Sequence, residues 1–193
     1  ESSCRYHTRG MQRFDLHPEN PQRRLIKQAA DLLRAGGVIA YPTDSCYALG
    51  CHIGDKDALE RVRRIREADR HHHFTLVCRD LTEIAKYARV DTPQFRLLKA
   101  ATPGPYTFLL EATKETPRRL QHEKRRTIGI RVPDHPVPQM LLEELGEPIM
   151  SSTLMLPGDD HRRVRRQIDH RRWLMRHRAN DGDRFGGVPS GGR

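Results

Sequence analysis

Gly37 to Gly50 reads GVIAYPTDSCYALG, and the break inside it decides the fold. Val38-Ile39-Ala40-Tyr41 is a short apolar run of the kind that forms a buried strand, and Pro42 ends it because proline cannot donate to a central ladder. Thr43, Asp44 and Ser45 follow as a loop of hydroxyl and acidic side chains. Open α/β sheets place ligands just past the carboxyl ends of strands, so the pattern predicts a site on this loop.

Upstream, Asn20-Pro21 supplies a cap and a first-turn proline. Leu25, Ile26, Ala29, Leu32 and Leu33 make one apolar helical face, and Gly36-Gly37 stops it. Downstream, helical patterns span 55–70, 81–88, 93–101 and 137–145, with Phe95, Leu97 and Leu98 as apolar anchors of the third. Strands are expected at 74–78, 106–111 and 127–132, and Pro148-Ile149-Met150 runs into Ser151-Ser152-Thr153. Such alternation predicts an α/β (α+β) architecture: one twisted, open, mixed sheet flanked by helices. Residues 1–10 read as an extension, 11–157 as the single domain and 158–193 as a basic tail.

The net charge of +10 suggests nucleic acid until it is located. Residues 161–193 hold ten arginines against three aspartates, a local +7, which leaves +3 for the rest. The main body therefore argues only weakly for RNA or DNA. No run of 18 apolar residues and no secretory leader is read, and four dispersed cysteines fit reduced thiols, so a cytoplasmic protein is expected.

Ser45, Arg131, and Ser151 with Thr153 stand where apolar strand character stops, and Thr107 adds a polar point after Pro103-Gly104-Pro105. Together they suit an anionic ligand, with arginine as a bidentate donor; the alternative is that these hydroxyls only close turns. Arg63, Arg64 and Arg66, with Arg118, Arg119, Lys124, Arg125 and Arg126, form two basic clusters. These are either solvated helix faces or the walls of a site for a triphosphate or RNA backbone. His71-His72-His73 and the cysteines lack the spacing of a metal centre, so no metal ligand is assigned. The phosphate-binding glycine loops and the GxSxG nucleophile elbow are absent, and no catalytic side chain is assigned.

The ordered set PTDSCYALG, PGPYTFLL, TIGIRVPDHP and EPIMSST resembles the YrdC/YciO family, and most closely its YciO branch, over residues 11–157. The resemblance implies a YrdC-like fold with a basic concavity suited to double-stranded RNA or tRNA, without DNA specificity, and a nucleotide site inside it. It also implies an L-threonylcarbamoyladenylate synthase activity, in which threonine, bicarbonate and ATP, with Mg²⁺ on its phosphates, give threonylcarbamoyl-AMP for tRNA modification. The alternative is a non-catalytic double-stranded RNA or tRNA binder.

By motif position, Ser45, Arg131 and Ser151 are implied to bind threonine, and Arg64, Arg66, Thr107 and Thr153 the nucleotide. Two signatures depart from the synthases. Lys-x-Arg-Pro becomes Arg66-Glu67-Ala68-Asp69, unless a two-residue shift restores Arg64-x-Arg66, and Ser-x-Asn becomes Thr153-Leu154-Met155. Each lost polar contact is worth about 1–3 kcal/mol.

Family members continue past residue 160 with a strand of the type Pro-Thr-Thr-Val-Ile-Asp-Leu. Back-translated and read one nucleotide late, residues 177–186 permit that string. Residues from about 160 are therefore expected to be a reading-frame product that does not pack.

Overall fold

The computed structural model describes residues 11–67, 74–154 and 173–176. Nine strands run Met11–Phe14 (β1), Val38–Pro42 (β2), Tyr47–His52 (β3), Thr75–Val77 (β4), Ala88–Arg89 (β5), Phe108–Ala112 (β6), Thr127–Arg131 (β7), Ile149–Thr153 (β8) and Trp173–Arg176 (β9). Five helices are Arg23–Arg34 (α1), Lys56–Arg66 (α2), Leu81–Tyr87 (α3), Thr92–Ala101 (α4) and Pro136–Leu145 (α5), with a 3-10 turn at Arg118–Leu120. The strands form one open mixed sheet in the order β1-β9-β2-β3-β8-β4-β7-β6-β5. Only β4 and β7 pair in parallel among the described strands.

Local chemistry sets most element ends. Asp55, Asp80 and Asp91 cap α2, α3 and α4 through side chains that accept from backbone N–H groups, satisfying donors that no preceding turn can reach. Gly146, at φ 73°, closes α5 in the left-handed conformation that a side chain would resist. At α1 the expectation is corrected, because the helix begins at Arg23 behind Gln22 and Asn20-Pro21 lies outside it. In α4 only Leu98 is buried, whereas Phe95 and Leu97 face solvent.

The polar loop after Pro42 is also corrected to a hairpin turn. Tyr47–His52 returns antiparallel to β2, with Pro42 opposite Tyr47 and Ile39 opposite Gly50. Trp173–Arg176 enters the sheet between β1 and β2, so these four residues are paired rather than unpacked. The rest of the tail, the N-terminal ten residues, Ala68-Asp69, His71–His73 and Met155 lie outside the described residues.

The sheet's two faces are covered differently. Helices α2, α3 and α4 close one face, where Leu49, Cys51, Leu76, Ile128, Ile130 and Met150 meet Leu59, Val62, Ile84 and Leu98 in a continuous core. Helices α1 and α5 pack on the other face, over Ile39, Tyr41, Ala48, Val77 and Ile149. Directly paired residues share a face, so Gly50, Ser151, Thr75, Gly129 and Leu109 form a row across β3, β8, β4, β7 and β6 on this second side. The row starts buried, with Ser151 at 4% exposure, and ends open, with Leu109 at 74%. The half of this face that no described helix covers is where a ligand can reach the sheet. Among the described residues, no helix is long and apolar enough to cross a membrane.

Candidate functional site

The β2–β3 turn is built on Thr43. Its Oγ1 donates to the Cys46 carbonyl at 2.6 Å and accepts from the backbone N–H of Ser45 and Cys46 at 3.3 and 3.2 Å. Thr43 N–H adds a 3.0 Å bond to the same carbonyl. Thr43 is thus buried and committed to turn geometry, as the turn-closing alternative holds for this hydroxyl. Ser45 differs, since it is half-buried and its Oγ lies 3.2 Å from Thr43 Oγ1 and 3.6 Å from Cys46 Sγ.

Asp44, in the predicted loop, has a partner that its local sequence does not show. Its Oδ1 accepts from Arg131 Nη2 at the end of β7, and its Oδ2 accepts from Asp134 N–H at 3.1 Å. The side chains of Asp44 and Arg131 are only 10% and 14% exposed. β2 and β7 run in opposite senses with three strands between them, so this pair requires the turn to lean across the open face. Arg131 Nε is buried without a hydrogen-bond partner among the described residues. A buried donor left unmade is costly, and a ligand oxygen placed there would relieve it.

Ser151 is held from beneath. Gly50 lies between Tyr41 and Ile149, and a Cβ at Gly50 would stand 2.8 Å from Tyr41 Cε1 and 2.9 Å from Ile149 Cγ2. The missing side chain lets the Tyr41 ring cross β3, so that its hydroxyl donates to Ser151 Oγ at 2.8 Å. Ser151 Oγ in turn donates to the Leu49 carbonyl at 3.1 Å. Its proton is therefore used within the fold, and it meets a ligand as an acceptor. Burial pushes the Tyr41 phenol well above its usual range; the Ser151 bond and the field of Arg131 oppose that rise.

Arg66, at the end of α2, reaches the carboxyl end of β8. Its Nη1 donates to Ser152 Oγ at 2.9 Å and to the Thr153 carbonyl, fixing the carboxyl end of β8. Burial lowers its pKa, and nearby Cys46 opposes the change.

The structure does not bring every expected residue to this point. Arg64 is exposed, about 200° around the helix from buried Val62, so it points away from the Arg66 contact. Arg61 donates to the Gly36 carbonyl, and Arg63 is held by Glu60 at 2.7 Å and lies over the Phe74 ring. Thr107 is exposed further along the open face, where its Cγ2 and Thr75 Oγ1 flank the position of a Cβ on Gly129, each at 3.4 Å. The side chain of Thr153 is exposed at the β8 end. Thr75 and Gly129 went unnoticed in the sequence because each sits inside an apolar run and gains its place only through strand pairing.

Among the described residues, no group of three or more His, Cys, Asp or Glu side chains could hold a metal. What the site offers an anion is the Arg131 guanidinium tied to the Ser45 turn, and separately Arg66 bonded at the end of β8. Either guanidinium suits a carboxylate or a phosphate group.

A family model described as Telomere recombination, Sua5_yciO_yrdC, matches residues 31–176. YciO of Escherichia coli K12, itself uncharacterized, is 60% identical over 147 residues, covering 76% of this chain and 71% of that one. Its crystal structure superposes with a TM-score of 0.73 over 82% of this chain and 79% of that one, at 55% identity. The threonylcarbamoyl-AMP synthase of Chromobacterium violaceum is 35% identical over 142 residues, 73% of each chain. P. abyssi Sua5, solved in complex with L-threonine, shares the fold at 24% identity and a TM-score of 0.65, over 69% of this chain and 39% of that one. The four ordered motifs, the mixed sheet and the matched span agree: the chain belongs to the Sua5/YciO/YrdC family.

Proposed function

We propose that the open face binds L-threonine and ATP and that the chain forms threonylcarbamoyl-AMP. The observation that carries this reading is the Asp44–Arg131 pair, which ties a guanidinium to the turn that carries Ser45, while the buried Nε–H has no partner among the described residues. Arg131 receives the threonine carboxylate, with Asp44 fixing its plane. Ser151, its own proton committed to Leu49, accepts from the amino acid's donors. The similarity to a named threonylcarbamoyl-AMP synthase, and to a Sua5 solved with L-threonine, supports the choice of substrates.

The chemistry is positioning and charge neutralisation rather than covalent catalysis. The threonine amine and bicarbonate condense to a carbamate with loss of water, a carbamate oxygen attacks the α-phosphorus, and the bond to pyrophosphate breaks as it leaves. ATP enters as its Mg²⁺ complex, with the ion part of the substrate. Arg66, bonded at the end of β8 to Ser152 Oγ and the Thr153 carbonyl, is the cation assigned to the phosphates, with exposed Thr153 and Thr107 as further contacts. Arg64, turned outward, has no part in this arrangement.

The test is pyrophosphate release from ATP that requires both L-threonine and bicarbonate. It is expected in the parent chain and lost in Arg131→Ala at unchanged circular dichroism. Absence of release, with salt-sensitive binding of an RNA duplex retained, would replace the synthase with a non-catalytic RNA-binding protein.

A further inference from the structure

The second basic cluster is left over from the site described above, and the structure divides it. Arg119 is committed to the fold, since its Nη2 donates to the carbonyls of Ile53 and Gly54 at 3.1 and 2.8 Å. Arg118 and Arg126 instead line a cleft of about 520 Å³ at the β5–β6 edge, together with Arg89, Lys114, Glu111 and Glu123. None of the lining residues belongs to the Ser45–Arg131 site.

The cleft has a rigid floor. Thr113 Oγ1 donates to the Lys86 carbonyl at 2.7 Å and Thr116 Oγ1 to the Tyr87 carbonyl at 2.6 Å, so both hydroxyls are engaged by backbone. Gln121 Nε2 donates to the Thr116 carbonyl at 2.7 Å. The 122–126 turn is closed by His122 Nδ1, which accepts from the N–H groups of Lys124 and Arg125 at 3.2 Å each. Arg126 sits at φ 51°, uncommon for a residue with a side chain, and is pinned by bonds to His122 and Ala112. These bonds hold three cations from three separate segments around one space: Lys114 after β6, Arg118 on the 3-10 turn and Arg126 before β7.

Charge selects the ligand. Four cations face two carboxylates, and Glu111 is already paired with Arg89 at 3.2 Å. The residual repulsion among Lys114, Arg118 and Arg126 is relieved by an anion bearing several negative oxygens. We propose that this cleft is a second anion site, taking a ligand with clustered phosphate groups. Because the hydroxyls of its floor are engaged, recognition rests on the cations and weakens steeply with salt.

Amide shifts of Thr113, Thr116 and Gln121 in the full chain, titrated with tripolyphosphate and separately with inorganic phosphate and a short RNA duplex, read this cleft apart from the Arg131 site. Tripolyphosphate is expected to shift these amides saturably and more tightly than inorganic phosphate. Its affinity should fall about tenfold or more in Arg118→Ser/Arg126→Ser and rise about twofold in Glu123→Gln, since the lining charge changes in opposite directions. Arg131→Ala should leave the titration unchanged. Competition by the duplex would identify the phosphates as those of a nucleic-acid backbone, and its absence would point to a small polyphosphate. Shifts that do not saturate, an affinity unchanged in the double variant, or an equal loss in Arg131→Ala would overturn the proposal.

Discussion

Leu76 and Thr75 are neighbours on β4, yet they stand on opposite faces of one sheet and meet opposite fates. Leu76 is fully buried under α2–α4, in a core that runs across β3, β8, β4 and β7 without a polar break. Thr75 lies in the row that begins beneath α1 and α5 and ends in the open at Leu109. The difference teaches where stability and binding reside. The closed face is apolar at its centre, with polar contacts such as Arg66–Ser152 only at its border, whereas the half-covered face holds polar groups at strand ends and keeps Ser151 ordered from beneath through the Tyr41 contact.

The sharpest way to break this contrast is a cavity in the closed face. Leu76→Ala should cost about 2–5 kcal/mol, read from denaturant unfolding, while the folded fraction keeps its ligand affinity. A comparable loss of affinity per folded molecule would show that the two faces are not separable.

The closed face also carries a pH signature. Burial pushes the Cys51 thiol up to about 12 and raises Cys78 well above its usual value, so each keeps its proton in the fold. A raised native pKa gives stability that is intact below the unfolded thiol's pKa and lost as pH climbs through the native value. Stability should therefore fall between about pH 9 and pH 12. The expected slope is about 1.4 kcal/mol per pH unit for each titrating group. Cys51→Ala should make the decline shallower by one proton's worth, and a slope identical to that of the parent would assign it elsewhere.

The smallest effect lies at the seam between the faces. Tyr41→Phe removes one hydrogen bond and should cost about 0.5–1.5 kcal/mol. If Ser151 is held for a ligand rather than only for the fold, the same change also weakens threonine binding. A stability loss with unchanged affinity would make the pair purely structural.

The sequence reveals the closed face more fully than the open one. Ile128 and Ile130 on β7, and Leu59 and Val62 on α2, sit where periodicity puts them, because burial on a regular element follows from spacing alone. The site is only partly legible. Ser45, Arg131 and Ser151 are visible as polar residues where strands stop, but Asp44 pairs with Arg131 across 87 positions, and no local pattern encodes that contact. Gly50 shows as a break in an apolar run, yet its purpose depends on a tyrosine from the neighbouring strand. Tyr47–His52 is hidden because a turn rich in hydroxyls precedes it and draws the reading toward a loop. The Trp173–Arg176 pairing lies in a stretch whose arginines mask a strand, and strand neighbours that far apart in sequence leave no local signal.

The most direct test of the central claim is thermal unfolding of the full chain with and without ATP plus L-threonine, repeated in Arg131→Ala. A ligand that binds the native state at about 100 times its Kd adds about 2.7 kcal/mol. The account predicts a clear rise in Tm for the parent chain and none for Arg131→Ala. A Tm unmoved by the ligands in the parent, or raised equally in the variant, would contradict it.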